Sequence, residues 1–323
     1  MTKVVALLAA VLLPVLATGC GGDGAEPGAP RGATLVLDFQ PNAVHTGIYS
    51  ALRHGYYRDG GVDLHVQEPS ASTDAPKLLR AGRAQFAILD IHDLGLARQQ
   101  GFDVVGVEPI VQRPLAAVIA RDRRAVRRPR DLEGGPVGVT GLPSDDAVLD
   151  SVLEADGADV DGVDRVTIGF DAVSALRAGK LDAATGFWNA EGVALRRAGV
   201  PIREFRVDDY GAPRYPELVL ATSGSLLREQ PRLVSSVVRA TERGYRLTVR
   251  DPEGALSDLL SPVAGLERGE QRAQLEALLG ADAFDSLGRF DIATLRGWSR
   301  WDATHGILRK PIDVNDAFSQ PAS

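Results

Sequence analysis

Short apolar runs alternate with helical patterns along the first two thirds of the chain. The runs Thr34–Phe39 and Val62–Gln67 have the length of buried strands, and Val44, Ile48 and Leu52 between them share one helical face. The pattern predicts further strands over 85–89, 104–108, 115–120, 137–140, 165–168, 182–185 and 218–222, and helices over 75–81, 145–156, 172–178 and 191–198. Such alternation predicts mostly parallel sheets with helices on both faces.

The order of the elements predicts two α/β lobes. A second set of strands and helices begins at Val137, and the pattern turns mainly helical from Pro231 to the end. We therefore expect the chain to leave a first lobe and return to it. The predicted first lobe is 33–120 plus 223–323, and the predicted second lobe is 121–222.

The first twenty residues have the pattern of a bacterial lipoprotein signal. Lys3 precedes the apolar run Val4–Leu16, which is shorter than the roughly 20 residues that a membrane span needs. Small residues lead up to Cys20, so we expect 1–19 to be removed and Cys20 to carry acyl chains, palmitate among them. A Gly/Pro-rich tether would follow over 20–32. The alternative is a plain secretory signal with an incidental cysteine.

Composition excludes several classes of function. The chain is 44% hydrophobic and 24% charged, as in soluble globular proteins, and its net charge of −7 argues against nucleic-acid binding. Its one cysteine excludes intrachain disulfides and cysteine-ligated zinc. The sequence has no G-x-S-x-G, H-E-x-x-H or phosphate-loop motif, and its histidines lack metal-ligand spacing. We therefore expect no catalysis, no cofactor and no metal.

In open α/β sheets a ligand binds at the carboxyl ends of the strands. The segments that follow predicted strands here are Asp38–His45, Asp90–Asp93, Gly141–Asp146 and Gly186–Glu191. A helix beginning near Asp145 and Asp146 would repel an anion, since two carboxylates stand where bare N–H groups would otherwise attract one. This favours a neutral or donor-rich ligand.

These segments also carry a family resemblance. Leu37–Val66 contains an aromatic residue after the first strand, a Pro-Asn pair, a histidine and a Gly-aromatic-aromatic triplet, which are Phe39, Pro41-Asn42, His45 and Gly55-Tyr56-Tyr57. The segment resembles the opening of the thiamine-pyrimidine-precursor family, with Phe39 where a tryptophan is commoner. Three later segments are similar to the importer branch of the same family, namely Gly141–Gly157, Gly179–Gly199 and Tyr210–Thr222.

The resemblance implies a two-lobed periplasmic-binding-protein type II fold, with mixed sheets, flanking helices and a helical C-terminal segment. It implies a monomeric lipoprotein on the outer face of the cytoplasmic membrane that captures an aminopyrimidine such as formylaminopyrimidine. Its partners would be the permease and ATPase subunit of an ABC importer. Riboflavin, an alkanesulfonate such as taurine, or nitrate are alternative ligands, and a sensing role is an alternative to transport.

The same family includes pyrimidine-phosphate synthases, which are enzymes. The resemblance implies that a synthase would have a lysine after the third strand, to hold pyridoxal phosphate, and a cluster of cysteines. Here that stretch is Phe86–Asp90, without lysine, and the body has no cysteine. A synthase is therefore disfavoured.

An aminopyrimidine is a flat ring with exocyclic N–H donors and ring-nitrogen acceptors. Trp188 is expected to stack on it, Asn189 to donate and accept, and Glu191 to accept from the amino group. Glu191 is equally suited to the first turn of a helix, where the dipole favours a carboxylate.

Five further ligand contacts are expected, each with a structural alternative. His45 lies one turn into a helix that points at the cleft, and Asn42 is either a contact or only the cap of that helix. Phe39 is expected to line the cleft, the alternative being a place in the core. Asp90 is expected to accept hydrogen bonds from the ligand, the alternative being that it only caps the next helix. Tyr215 lines the mouth of the cleft or simply packs.

Overall fold

The structure is a computed structural model that describes residues 30–70, 74–122, 126–285 and 288–320. Its strands are β1 (Arg31–Val36), β2 (Val62–Gln67), β3 (Phe86–Asp90), β4 (Val104–Val111), β5 (Ala116–Arg121), β6 (Pro136–Val139), β7 (Asp164–Thr167), β8 (Ala183–Phe187), β9 (Ile202–Arg206) and β10 (Leu218–Ser223). Its helices are α1 (Thr46–Arg53), α2 (Tyr56–Asp59), α3 (Asp74–Arg80), α4 (Ile91–Gln99), α5 (Pro143–Ala155), α6 (Ala172–Arg177), α7 (Glu191–Arg197), α8 (Gly224–Glu229), α9 (Pro231–Arg250), α10 (Pro252–Leu260), α11 (Arg268–Gly280), α12 (Ile292–Thr304) and α13 (Val314–Ala317). None of these described helices is long and apolar enough to cross a membrane.

The strands form two mixed sheets of five strands each. The first has the order β2-β1-β3-β10-β4, with β10 antiparallel to both neighbours. The second has the order β7-β6-β8-β5-β9, with β5 antiparallel to both neighbours. Helices flank the sheets, and the chain from α8 onward is mainly helical. The predicted α/β class, with two mixed sheets and a helical C-terminal segment, is confirmed.

The chain crosses between the sheets earlier than the predicted boundaries. Strand β5 belongs to the second sheet and β10 to the first, so the crossings lie at 112–115 and 207–217. The predicted boundaries at 120/121 and 222/223 therefore fall within or at the end of strands rather than between sheets. The sequence predicts each of these apolar runs as a strand, but an apolar run alone does not indicate which sheet the strand joins.

The N-terminal strand also differs from its prediction. β1 begins at Arg31, inside the predicted tether, and ends at Val36, because the chain turns away from the sheet before Phe39. Cys20, the predicted signal 1–19 and most of the predicted tether lie outside the described residues. A further strand, β9, has no counterpart among the predicted elements, since three of its five residues are charged and mask the apolar pattern.

Helix α9 fixes the start of α1 by a close helix crossing. A Cβ added at Gly244 would lie 1.9 Å from the carbonyl oxygen of Gly47, and one added at Gly47 would meet the Tyr245 ring at 2.4 Å. The Tyr245 hydroxyl donates to the Val44 carbonyl at 2.8 Å. The C-terminal helical segment therefore holds the turn that precedes α1.

Gly244→Ala is expected to lower the free energy of unfolding by about 1–3 kcal/mol or more, because the added methyl must push two backbones apart. Gly280→Ala is the matched control. Gly280 ends α11 with nothing within 4 Å of an added Cβ, so alanine there should be neutral or stabilising by up to about 1 kcal/mol. Urea denaturation of both variants measures the difference, and equal effects would contradict the close crossing.

Candidate functional site

A cavity lies between the carboxyl ends of strands from both sheets. Its empty space, counted together with the open mouth, is about 990 Å³. Its lining includes residues at or just after the ends of β1, β3, β6, β7 and β8, which are Asp38, Phe39, Asn42, Asp90, Asp93, Thr140, Asp145, Phe170, Phe187, Asn189 and Glu191. The rule that places ligands at strand ends therefore locates this cavity.

The turn after β1 is held by its own side chains. Asn42 Oδ1 accepts from the Val44 N–H at 2.9 Å, so Asn42 caps the helical turn as well as lining the cavity. His45 is fully buried and does not line the cavity. Its Nδ1 accepts from the Asn42 N–H at 3.1 Å, which leaves the proton on Nε2 to be donated to Asp38 Oδ1 at 2.9 Å. His45 is thus placed to orient Asp38 rather than to contact a ligand directly.

Two phenylalanines from different sheets meet at the cavity. Phe39 follows β1 and Phe170 follows β7, and their rings lie edge to face with centroids 4.6 Å apart. Phe170 is 42% exposed, which is unusual for a phenylalanine. The pair provides aromatic surface from both sheets against which a flat ring could pack.

The cavity is strongly acidic. Five of its lining residues are carboxylic acids, and no lysine, arginine or histidine of the described residues lines it; the five are Asp38, Asp90, Asp93, Asp145 and Glu191. Burial raises the pKa of Asp93 to about 8, with the neighbouring Asp90 adding to the rise. Burial also raises the pKa of Asp145 and of Glu191. Burial outweighs the nearby His92 charge at Asp93 and Asp145, so these carboxyl groups are poorly compensated and the cavity disfavours anions and favours donors.

Asn189 is the polar group that the protein leaves unpartnered. Its side chain is fully buried, lines the cavity, and makes no hydrogen bond through Nδ2 or Oδ1 to any described residue. An unmet buried donor or acceptor costs about 1–3 kcal/mol. The Asn189 amide can therefore form two hydrogen bonds with a ligand that has an acceptor and a donor side by side.

Glu191 lies beside it at the start of α7. Its Oε2 accepts from the Phe187 N–H at 2.9 Å, which fixes the carboxyl group. Both interpretations of Glu191 thus describe the structure, since it sits in the first helical turn and also lines the cavity.

Trp188 and Tyr215 do not line the cavity. Trp188 is buried and donates from Nε1 to the Pro114 carbonyl at 3.0 Å, and the Arg206 guanidinium carbon lies 4.2 Å from its ring centroid. The cavity is lined instead by Phe187. Tyr215 is also buried, and its hydroxyl lies 3.0 Å from His92 Nε2. The expectation that Trp188 stacks on the ligand therefore requires a correction, because the structure turns its ring toward the crossing at 112–115.

Some lining residues were not expected from the sequence. Phe170 lies just after β7, so the strand-end rule accounts for its place in the lining. Asp93 lies in the segment Asp90–Asp93 that the strand-end rule indicates, but the sequence alone does not show that its side chain turns to the cavity.

Asp90 lies in a buried polar cluster. It caps α4 by accepting from the His92 N–H at 2.7 Å, and atoms of Asp90, His92 and Glu217 lie within 4.8 Å of one another. His92 already hydrogen-bonds Asp302 at 2.9 Å through Nδ1 and Tyr215 through Nε2. Both ring nitrogens of His92 are therefore engaged within the protein and are not free to ligate a metal ion.

Comparisons with known proteins identify the relatives of this chain. The family model described as NMT1/THI5 like matches residues 42–255. A formylaminopyrimidine-binding protein of Halalkalibacterium halodurans is 30% identical over 98% of both chains, and the riboflavin-binding protein RibY of Chloroflexus aurantiacus is 27% identical over 98% of this chain and 94% of its own. Among solved structures, the alkanesulfonate-binding protein SsuA from Xanthomonas axonopodis pv. citri has a TM-score of 0.73 at 18% identity, covering 90% of this chain and 99% of its own. This structural likeness shows the fold alone.

Asp93→Asn is expected to flatten the dependence of stability on pH. The folded state raises the pKa of Asp93 to about 8, above an ordinary value near 4, so its stabilising contribution is full at low pH and is lost as pH rises toward 8. Between pH 5 and 8 the wild type should lose more than about 1 kcal/mol relative to the variant, measured by urea unfolding. Asp63→Asn, at an exposed position of β2, is the control and should follow the wild type. Parallel curves for wild type and Asp93→Asn would contradict this assignment.

Proposed function

Because the chain belongs to the NMT1/THI5-like family, we propose that it is an extracytoplasmic solute-binding protein for an aminopyrimidine thiamine precursor. The ligand is formylaminopyrimidine or a hydroxymethylpyrimidine-like compound, which the protein delivers to an ABC importer. A relative that carries the formylaminopyrimidine-binding name over almost the full length of both chains supports this ligand.

The observation that carries the proposal is the unpartnered Asn189 amide beside the Glu191 carboxyl. An aminopyrimidine offers a ring-nitrogen acceptor next to an exocyclic amino donor, which complements a side-chain amide. Glu191 accepts a second amino hydrogen, and the aromatic pair Phe39 and Phe170 packs on the ring. Hinge closure of the two sheets around the ligand then presents the form that the permease recognises.

The cavity chemistry argues against the anionic alternatives. Sulfonate and nitrate need donors or positive charge, whereas five carboxyl groups line this cavity. Riboflavin is the second candidate, because its ring edge also offers donors and acceptors and a riboflavin-binding relative matches nearly the whole chain.

A binding role is also favoured over the synthase role found elsewhere in the family. β3 ends in Asp90 and supplies no lysine for pyridoxal phosphate. The relative that covers 98% of this chain at 30% identity is a binding protein.

We propose that Cys20 anchors the protein to the outer face of the cytoplasmic membrane, where it acts as a monomer beside the permease and its ATPase subunit. The support is the sequence that precedes Cys20, an apolar run followed by small residues. Stable anchoring needs more than one acyl chain, which a lipidated N-terminal cysteine supplies.

Glu191→Gln and Asn189→Leu are each expected to weaken formylaminopyrimidine binding at least about tenfold, as measured by calorimetric titration. Glu191→Gln loses a charge-assisted hydrogen bond and Asn189→Leu loses a pair of hydrogen bonds, a loss of about 1.5–3 kcal/mol in each case. Glu229→Gln, at an exposed helix end, is the control for loss of a carboxylate. Tight binding of riboflavin with no heat from the pyrimidine would replace the proposed ligand. Tight binding of taurine would refute the inference that the acidic cavity disfavours anions.

Cys20→Ala is expected to move the protein from the membrane fraction to the soluble fraction and to abolish labelling by palmitate. The reason is that the residue which carries the acyl chains is lost, while the apolar segment that directs secretion is unchanged. Thr18→Ala keeps a small residue before the cysteine and is the control, which should remain in the membrane fraction. Membrane retention of Cys20→Ala would show that the signal sequence itself is the anchor.

A further inference from the structure

Glu217 joins the two sheets at the point where the chain returns to the first one. It is fully buried just before β10 and does not line the cavity. Its Oε2 accepts from the backbone N–H of Leu115 and from that of Ala116, the latter at 3.0 Å, at the start of β5 in the second sheet. Its carbonyl accepts from the Ile91 N–H at 2.9 Å, at the start of α4. One residue thus links both crossings to the helix that borders the cavity.

The second oxygen of the same carboxyl group lacks a donor. Glu217 Oε1 is buried and has no hydrogen-bond partner among the described residues. The Asp90 carboxyl lies within 4.8 Å, and Asp90 Oδ1 accepts from the His92 N–H. Two ionised carboxylates at this separation would repel, and the buried oxygen would stay unmet. A single proton held between Asp90 and Glu217 removes both costs.

We propose that Asp90 and Glu217 share one proton in the ligand-free protein, and that a ligand N–H placed on Asp90 releases this proton to solvent. Asp90 is the member of the pair that lines the cavity, so a ligand donor reaches it directly. The linkage rests on the proposed function, since it requires a ligand that carries N–H donors. It makes the acidic cavity select donor-bearing ligands more strongly as pH rises.

The surroundings of the pair support one shared proton. The titratable groups around it are His92 and Asp93 on α4, Tyr215 before β10 and Asp302 on α12, with Asp38 and Asp145 acting on Asp93. Burial raises the pKa of Asp90 well above its ordinary value, although the His92 charge opposes this, and burial raises the pKa of Glu217. His92 is engaged by Asp302 through one nitrogen and by Tyr215 through the other, so its ring does not supply the missing donor to Glu217.

Two nearly isosteric variants shift this equilibrium in opposite ways. In Glu217→Gln the amide oxygen keeps the Leu115 and Ala116 bonds and the amide nitrogen donates to Asp90, which then stays ionised. At pH 6 this variant should bind formylaminopyrimidine more tightly than wild type, by about tenfold for each pH unit between the assay and the titration of the pair. Asp90→Asn keeps a donor toward Glu217 but has no proton to release and accepts more weakly, so it should bind less tightly.

The experiment combines two measurements on the purified protein and both variants. Carboxyl carbon-13 NMR of the ligand-free protein at pH 6 reports whether Asp90 or Glu217 carries a proton. Calorimetric titration with formylaminopyrimidine, in buffers of different ionisation enthalpy, reports protons released on binding. The ligand's own titration is common to all three proteins and cancels in the differences between them.

We expect one protonated carboxyl group in the pair, proton release by the wild type, and no release from Asp90 in either variant. Two ionised carboxyl groups at pH 6 would overturn the shared proton. If the pair is protonated but the heat of binding, corrected for the ligand's own titration, does not depend on the buffer, the link between ligand binding and proton release would be overturned. A protonated pair with no pyrimidine binding would refute the proposed function and leave the shared proton standing.

Discussion

Burial of several acidic groups around a cavity that no basic side chain of the described residues lines is the constraint on which this site depends. Isolated carboxylates are costly to remove from water, and proteins normally pair them with cations or donors. Here five carboxyl groups share one cavity, and the only donors to them from the described residues are backbone N–H groups and the side chains of His45 and Thr140. Under the proposed function, a ligand rich in N–H groups supplies the missing donors, and the same carboxyl groups disfavour anions.

The fold creates this constraint by directing the ends of two sheets at each other. The turn before α1 brings Asp38 to the cavity through His45, and α9 supports that turn through Tyr245. At the crossings, Glu217 binds the start of β5 while its neighbour Asp90 faces the ligand space. The connections between the sheets and the charge state of the cavity therefore involve the same few residues.

Much of the architecture could be predicted from the sequence, because the apolar residues of strands and of helices recur with the spacing typical of each type of element. β2 was predicted at its observed bounds, whereas β9 was missed because its charged residues hide the pattern. Which sheet β5 and β10 join depends on long-range pairing, and this is why the predicted lobe boundaries needed correction.

The site was predicted only in outline, for a similar reason. Strand ends indicate where a cavity forms, and Phe39, Asn42, Asp90, Asn189 and Glu191 do line it. Residue type does not tell which neighbour faces inward. Trp188 has the larger aromatic ring, yet its N–H finds the Pro114 carbonyl on the far side and Phe187 lines the cavity. His45 and Tyr215 are likewise turned to polar partners within the protein.

The most direct test of this account is a crystal structure of the protein with formylaminopyrimidine. We expect the pyrimidine ring between the two sheets, with a ring nitrogen and the exocyclic amino group each about 3 Å from the amide of Asn189 and the amino group also within reach of Glu191. A pyrimidine bound elsewhere, or bound in the cavity with the Asn189 amide still unpartnered, would contradict the account.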